Sequence, residues 1–160
     1  MTESERVDEL LREAGPRALR IAARLVGAGD AEDAVQEALL RTCDARGVRD
    51  PQAWFIRVLI NHCLGVQRRH RLWRLFQFAH DPAEPIAAAD AALQAARDAA
   101  AVRARVRALP PMQQTVVQLR FGEDLSIAEI AAAVDVGEET VKTHLQRALE
   151  RLRRETRRDA

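Results

Sequence analysis

The sequence predicts an all-α protein of two small helical domains joined by a linker. Three observations carry that prediction. Apolar residues recur at spacings of three and four along most of the chain, and no long stretch alternates apolar with polar residues in the manner of a strand. The composition, 48% hydrophobic and 31% charged over 160 residues, is sufficient for a buried core. The periodicity then lapses in FQFAHDPAEP (76–85), where two prolines mark a connection. The expected division is a domain at 1–74, a linker at 75–101 and a second domain at 102–160.

From Ser4 to Val26 the chain reads as helical, with Val7, Leu10, Leu11 and Ala14, then Leu19, Ala22, Leu25 and Val26, on apolar positions. Gly15-Pro16 interrupts them and predicts a kink or two consecutive helices. Gly27 and Gly29 end this segment. Asp30 is expected to cap a helix running to about Asp44, with Ala34, Val35, Ala38, Leu39 and Thr42 inward and Asp33, Gln36 and Glu37 outward.

DARGVRD (44–50) is a polar loop, and Asp50-Pro51 reads as a cap followed by proline at the first helical position. The helix it opens runs to about Trp73, with Trp54, Phe55, Val58, Leu59, His62 and Val66 near one face and Trp54 expected in the core. It ends in Arg68, Arg69, His70, Arg71 and Arg74. Two readings of that cluster stand side by side: basic residues satisfying the helix dipole, or arginines and Trp73 meeting phosphates and an unstacked base. Farther on, 86–101 is Ala-rich and helical with little to bury. Val102, Val106 and Leu109 restart an apolar stripe. Pro110-Pro111 opens a helix containing Val116, Val117, Leu119 and Phe121, ended by Gly122.

The sharpest local signals lie in 124–154. Ser126 and Glu129 form the S-x-x-E pattern of a capping box before Ile127, Ile130, Ala131 and Val134. Gly137 is expected to break this helix, and a second starts near Glu138, where acidic residues suit the positive end of the dipole. There Val141, Leu145, Leu149 and Leu152 fall on one stripe, and Thr140, Lys142, Thr143, Gln146, Arg147 and Arg151 on the other. Two helices about a tight turn, the second with a polar and basic outer face, predict a DNA-binding helix-turn-helix. The bland reading is an αα-hairpin with a solvated face. The exposed side chains are of the types that read base edges.

The net charge is only +1, but it is unevenly spread. Residues 1–40 hold five Arg against nine acids; 66–74 hold four Arg and no acid; 142–160 hold seven basic residues against three acids. Such a distribution suits one protein partner and one polyanionic partner. The Ala and Arg excess suggests a GC-rich bacterial genome. The acidic N-terminus lacks the apolar core of a signal peptide, and no apolar run approaches a membrane span, so a cytoplasmic protein without membrane insertion is expected. Cys43 and Cys63 fit a reducing compartment. Drawn with His62 and His70 they match no established zinc spacing, so neither metal nor cofactor is expected. No nucleophile–base pair or phosphate loop points to an enzyme.

Taken together, the motifs resemble those of the bacterial sigma factors of the extracytoplasmic-function group, over nearly the whole chain and in order. AEDAVQEA (31–38) resembles the family's AED-x-VQE stretch. WFIRVLINHCL (54–64) resembles its W-L-x-R-I-A-x-N segment and is followed by the arginine cluster. LPPMQQTVVQLR (109–120), SIAEIA (126–131) and TVKTHLQRA (140–148) resemble its fourth region. The resemblance implies that Asp33, Gln36 and Glu37 dock on core RNA polymerase. It implies that Arg57 and Asn61, with the Arg68, Arg69 and Arg71 cluster, engage and melt the −10 promoter element. Thr140, Lys142, Thr143, Gln146 and Arg147 would read the −35 element in duplex DNA. The 44–50 loop corresponds to the one that selects the flipped −10 base, although here it is short and lacks an aromatic. An anti-sigma factor clamped between the domains is a further partner of this kind of protein.

The main alternative is a LuxR-like regulator that binds operator DNA as a dimer without polymerase, since TVKTHL also appears there. That reading leaves the N-terminal motifs unexplained.

Overall fold

A computed structural model describes residues 3–76 and 90–158, with residues 3, 71–76 and 90–93 described by their backbone alone. Within these limits the chain is all-α: α1 (Glu3–Val26), α2 (Ala28–Cys43), α3 (Pro51–Phe76), α4 (Asp90–Ala108), α5 (Pro111–Val117), α6 (Ile127–Val134) and α7 (Glu138–Arg158). A single π turn, Gln118–Gly122, follows α5.

Helices α1, α2 and α3 pack against one another as the first bundle. Its centre consists of Ala18, Ile21, Ala22, Ala38, Phe55, Leu59, Ile60 and Cys63, all fully buried. The alanines of α1 and α2 let the helix backbones approach closely around the larger side chains of α3. Burying Phe55 or Leu59 in this way contributes about 1.5–3 kcal/mol each. Pro16 lies inside α1, which continues through it as one helix instead of two. The missing Pro16 N–H costs one helical hydrogen bond, but buried Ala14, Ala18 and Ile21 hold both sides of the proline against the same core.

Several first-bundle expectations need correction. The N-cap of α2 is Gly27, at φ 93°, and Asp30 falls inside the first turn, where its charge meets the positive end of the dipole. Leu19 is exposed, because the buried stripe of α1 passes through Ala18, Ile21 and Ala22 beside it. Trp54 is also exposed. At the start of α3 the inward positions belong to Phe55 and Ile56. Asp50 does cap α3, its Oδ1 accepting from Ala53 N at 3.0 Å.

The second bundle is built from α5, the π turn, α6 and α7, with α4 packed on α5 and α7. Val116, Leu119, Leu125, Ile130, Val141 and Ala148 fill it. Helix α4 runs unbroken through 101 and 102, and Val102 on it is exposed, while Val106 and Leu109 pack inward. Phe121, which the sequence puts in the helix opened by Pro110-Pro111, is exposed as well. The wider π turn breaks the 3.6-residue period after Val117, so the stripe cannot be extrapolated through it. Arg120 closes the turn by donating to the Leu125 carbonyl at 2.9 Å.

The capping box is present in full: Ser126 Oγ accepts from Glu129 N at 3.1 Å, and Glu129 accepts from Ser126 N at 2.8 Å. These bonds hold the Glu129 carboxyl below the usual glutamate range, the Ser126 backbone N–H being the main cause. Helix α6 ends at Asp135, not Gly137. Asp135 adopts the left-handed conformation (φ 58°), which aspartate tolerates better than most non-glycine residues. Gly137 instead begins α7, its carbonyl accepting from Thr140 N and Val141 N.

The two bundles touch. Helix α3 lies against α5 and α6, and α1 against the π turn.

Candidate nucleic-acid interface

Helix α7 is strongly two-sided. Val141, Leu145 and Ala148 are buried against the rest of its bundle, which turns Thr140, Lys142, Thr143, Gln146, Arg147 and Arg151 to solvent. Local bonds hold part of that face. Lys142 Nζ donates to Glu139 Oε1 at 2.6 Å, which raises the lysine pKa. Thr143 Oγ1 donates to the Glu139 carbonyl at 2.9 Å, and Gln146 Nε2 to Glu150 Oε1 at 3.3 Å. Arg147 has no hydrogen-bond partner among the described residues. Sequence reasoning missed Glu139 and Glu150 as neighbours of the basic face, although their spacings of three and four from Lys142 and Gln146 signal such pairs.

On α3, Arg57, Asn61 and Arg68 follow at spacings of four and seven, which places them on one side of the helix. Asn61 and Arg68 are exposed. Arg57 is partly covered: its Nη2 donates to Asp135 Oδ1 of α6 at 3.1 Å, and its guanidinium lies 5.9 Å from the Trp54 ring centre. Arg69 is exposed on a different side, near His62. Burial, then the nearby Arg41 and, more weakly, Arg69, lower the His62 pKa against a smaller opposing effect of Glu37. Arg71 lies on the described backbone of α3, but its side chain, with those of Trp73 and Arg74, lies outside the described residues.

A cavity of about 700 Å³ adjoins this stripe. The 44–50 loop, Trp54 and Arg57 form one side and Arg17 of α1 another, with Arg46 and Arg49 of the loop at its rim. Leu125, Glu129, Ala132 and Ala133 of the second bundle close it. Arg17 and the two loop arginines were not among the expected contact residues. Only the pair of arginines in the loop composition hinted at them.

The third group lies on α2. Asp33 and Gln36 are exposed and Glu37 accepts from Arg41 at 2.8 Å. At spacings of three, four and seven from Asp33, the side chains of Gln36, Glu37 and Leu40 line one outer stripe. Leu40 is 63% exposed and also went unnoticed in the sequence.

No three metal-ligating side chains converge among the described residues. Cys63 is buried, which pushes its thiol up to about 12. No described helix is long and apolar enough to cross a membrane.

Comparison with known proteins accounts for both bundles. Residues 10–72 match Sigma-70 region 2, and residues 106–154 match Sigma-70, region 4. The RNA polymerase sigma-E factor of Streptomyces avermitilis is 37% identical over 155 residues, covering 92% of this chain and 83% of that one. The ECF RNA polymerase sigma factor SigL of Mycobacterium tuberculosis is 30% identical over 140 residues, covering 84% and 79%. Two solved structures share the fold. The sigma factor RpoE of Bartonella quintana, in complex with the anti-sigma factor NepR, has a TM-score of 0.64 at 21% identity over 96% of this chain and 98% of that one. CnrH, in complex with the cytosolic domain of CnrY, has a TM-score of 0.67 at 19% identity over 98% and 91%. A stand-alone operator-binding regulator leaves the region 2 match unexplained and is not favoured. The chain belongs to the extracytoplasmic-function group of RNA polymerase sigma factors.

Proposed function

We propose that this sigma factor divides promoter recognition between its two bundles. The observation that carries the proposal is the two-sided α7. Its apolar side is committed to the core, so the outward Thr140, Lys142, Thr143, Gln146 and Arg147 are free to enter a major groove about 12 Å wide and read the −35 element. Arg147 is the strongest candidate for a base contact, because no internal partner has to be given up. Lys142 and Gln146 exchange a carboxylate for DNA.

The Arg57–Asn61–Arg68 stripe engages the −10 element, with Arg69 and Arg71 adding positive charge along the strand. Trp54 and the arginine-lined cavity beside it supply a stacking surface and cationic walls for an unstacked base. The outer stripe of α2, Asp33, Gln36 and Glu37, docks on core RNA polymerase, with Leu40 as an apolar anchor among them. The protein contributes promoter choice and strand opening in the cytoplasm, and the polymerase performs the chemistry. Neither role calls for a cofactor. An anti-sigma factor is a further partner, a reading supported by the related fold of RpoE having been solved with the anti-sigma factor NepR.

Selection of duplex sequences by the full chain on core polymerase, followed by titration of Arg147→Ala, tests the −35 assignment. Loss of a bidentate base contact weakens binding by about 1–3 kcal/mol and relaxes preference at one position. Equal weakening on every sequence would reduce Arg147 to a phosphate contact.

A further inference from the structure

We infer that the C-terminal half of α7 is a second DNA contact, in which Arg151, Arg154 and Arg158 grip phosphates of the duplex flanking the −35 element. This inference rests on the −35 assignment proposed above for the N-terminal half of the same helix.

Arg147, Arg151, Arg154 and Arg158 follow at spacings of four, three and four, which lines them up on one side of the helix. All four are exposed. None of the last three has a hydrogen-bond or ion-pair partner among the described residues. Residues 147–158 hold six arginines against two glutamates, and both glutamates are engaged away from the stripe. Glu150 accepts from Gln146, and Glu155 is half-buried on the inner side. The stripe is therefore uniformly positive over about 16 Å, at about 1.5 Å per residue.

Satisfaction of the helix dipole explains only part of this. That effect fades within the last turn, so it covers Arg157 and Arg158 but not Arg151. Nor is the end of α7 a frayed tail. Leu152 packs against the core, and Arg105 of α4 donates to Thr156 Oγ1 at 3.1 Å. The three arginines thus share a backbone held in place from α4.

The length of the helix decides what meets them. Helix α7 has 21 residues and is about 31 Å long, whereas the major groove is about 12 Å wide. A recognition helix sets its N-terminal residues against base edges. Thr140 to Arg147 take up about 11 Å, which leaves the C-terminal half past the groove edge with the stripe continuing from Arg147. A groove is bounded by phosphate strands, each with one negative charge per about 3.4 Å of axis. Planar guanidinium groups match phosphate oxygens in pairs. Such contacts add affinity and fix orientation without reading sequence.

The test uses the full chain assembled with core RNA polymerase and the duplex sequence selected on that assembly. The duplex either ends at the −35 element or is extended on each side by about ten base pairs, one turn, of arbitrary sequence. One variant combines Arg151→Gln, Arg154→Gln and Arg158→Gln, and the control combines Arg153→Gln with Arg157→Gln. Each control residue adjoins a member of the stripe and so points about 100° away from it. Gln has nearly the helix propensity of Arg, and circular dichroism verifies that both variants remain helical. Three phosphate contacts correspond to a salt slope of about 2.7. Raising salt from about 50 to 200 mM should therefore weaken wild-type binding to the long duplex about 40-fold more than binding of the triple variant. The control should keep the wild-type slope, and the triple variant the wild-type base preference. On the short duplex the difference in slope should vanish. A triple variant with the wild-type slope, or a control whose slope falls with its charge, would overturn the inference. So would weaker assembly of the triple variant with polymerase in the absence of DNA, which would put the stripe on an acidic protein surface. A wild type with no preference for the selected element over unrelated duplex would instead remove the −35 reading itself.

Discussion

Arg147 and Lys142 stand five residues apart on α7 with different local surroundings. Lys142 is held by Glu139, whereas Arg147 has no partner among the described residues. Replacing Glu139 by Gln should strengthen −35 duplex binding modestly at low salt, with the gain fading as salt rises; anisotropy titrations at two ionic strengths measure it. An unchanged affinity would mean that Lys142 does not approach the DNA. Burial dictates a different outcome at Cys63. With its thiol pushed up to about 12 and closed off by the core, it should resist alkylation at neutral pH in the folded protein and react once the chain is unfolded. Peptide mass mapping after brief iodoacetamide treatment reads this directly. Rapid labelling of Cys63 in the native state would contradict its placement.

At the scale of elements, α6 depends on its start. Ser126→Ala should cost about 1 kcal/mol, seen as a lower midpoint in urea. The Glu129 half of the capping box has a pH signature. Its folded-state pKa is lowered, so its contribution is complete above the ordinary glutamate value and is lost as pH falls through the folded one. The stability difference between wild type and Glu129→Gln should therefore shrink on acidification below about pH 4.3; a constant difference would show that the charge is not involved. This box was legible in the sequence because every partner lies within four residues. The Asp50-Pro51 helix start and the two faces of α7 were legible for the same reason. The continuity of α1 through Pro16 was not, because packing on α2 and α3 sustains it. The π turn at Gln118–Gly122 was not legible either, because it changes the helical period without an evident sequence mark. The Trp54 error arose from reading an aromatic near an apolar face as core, when Phe55 and Ile56 take the inward positions. At the sites, residue types and spacing identified the α7 face, but the pairs between the bundles, Arg57–Asp135 and Arg24–Glu123, join residues 78 and 99 apart in sequence and left no local trace.

At the scale of the whole molecule, two small bundles with separate polar surfaces suit an assembly in which each contact is weak and polymerase holds both in place. Tethering raises the effective concentration of the second contact once the first is made. It also reconciles a net charge of +1 with DNA binding, since the acids concentrate on the α1–α2 side and the basic residues on α3 and α7. The most direct test of this account is run-off transcription by purified core RNA polymerase on a GC-rich genomic promoter library, with and without the protein. The account predicts discrete transcripts that require the protein and are lost with Asn61→Ala or Arg147→Ala. No association with core polymerase, together with tight binding to a palindromic duplex, would contradict it.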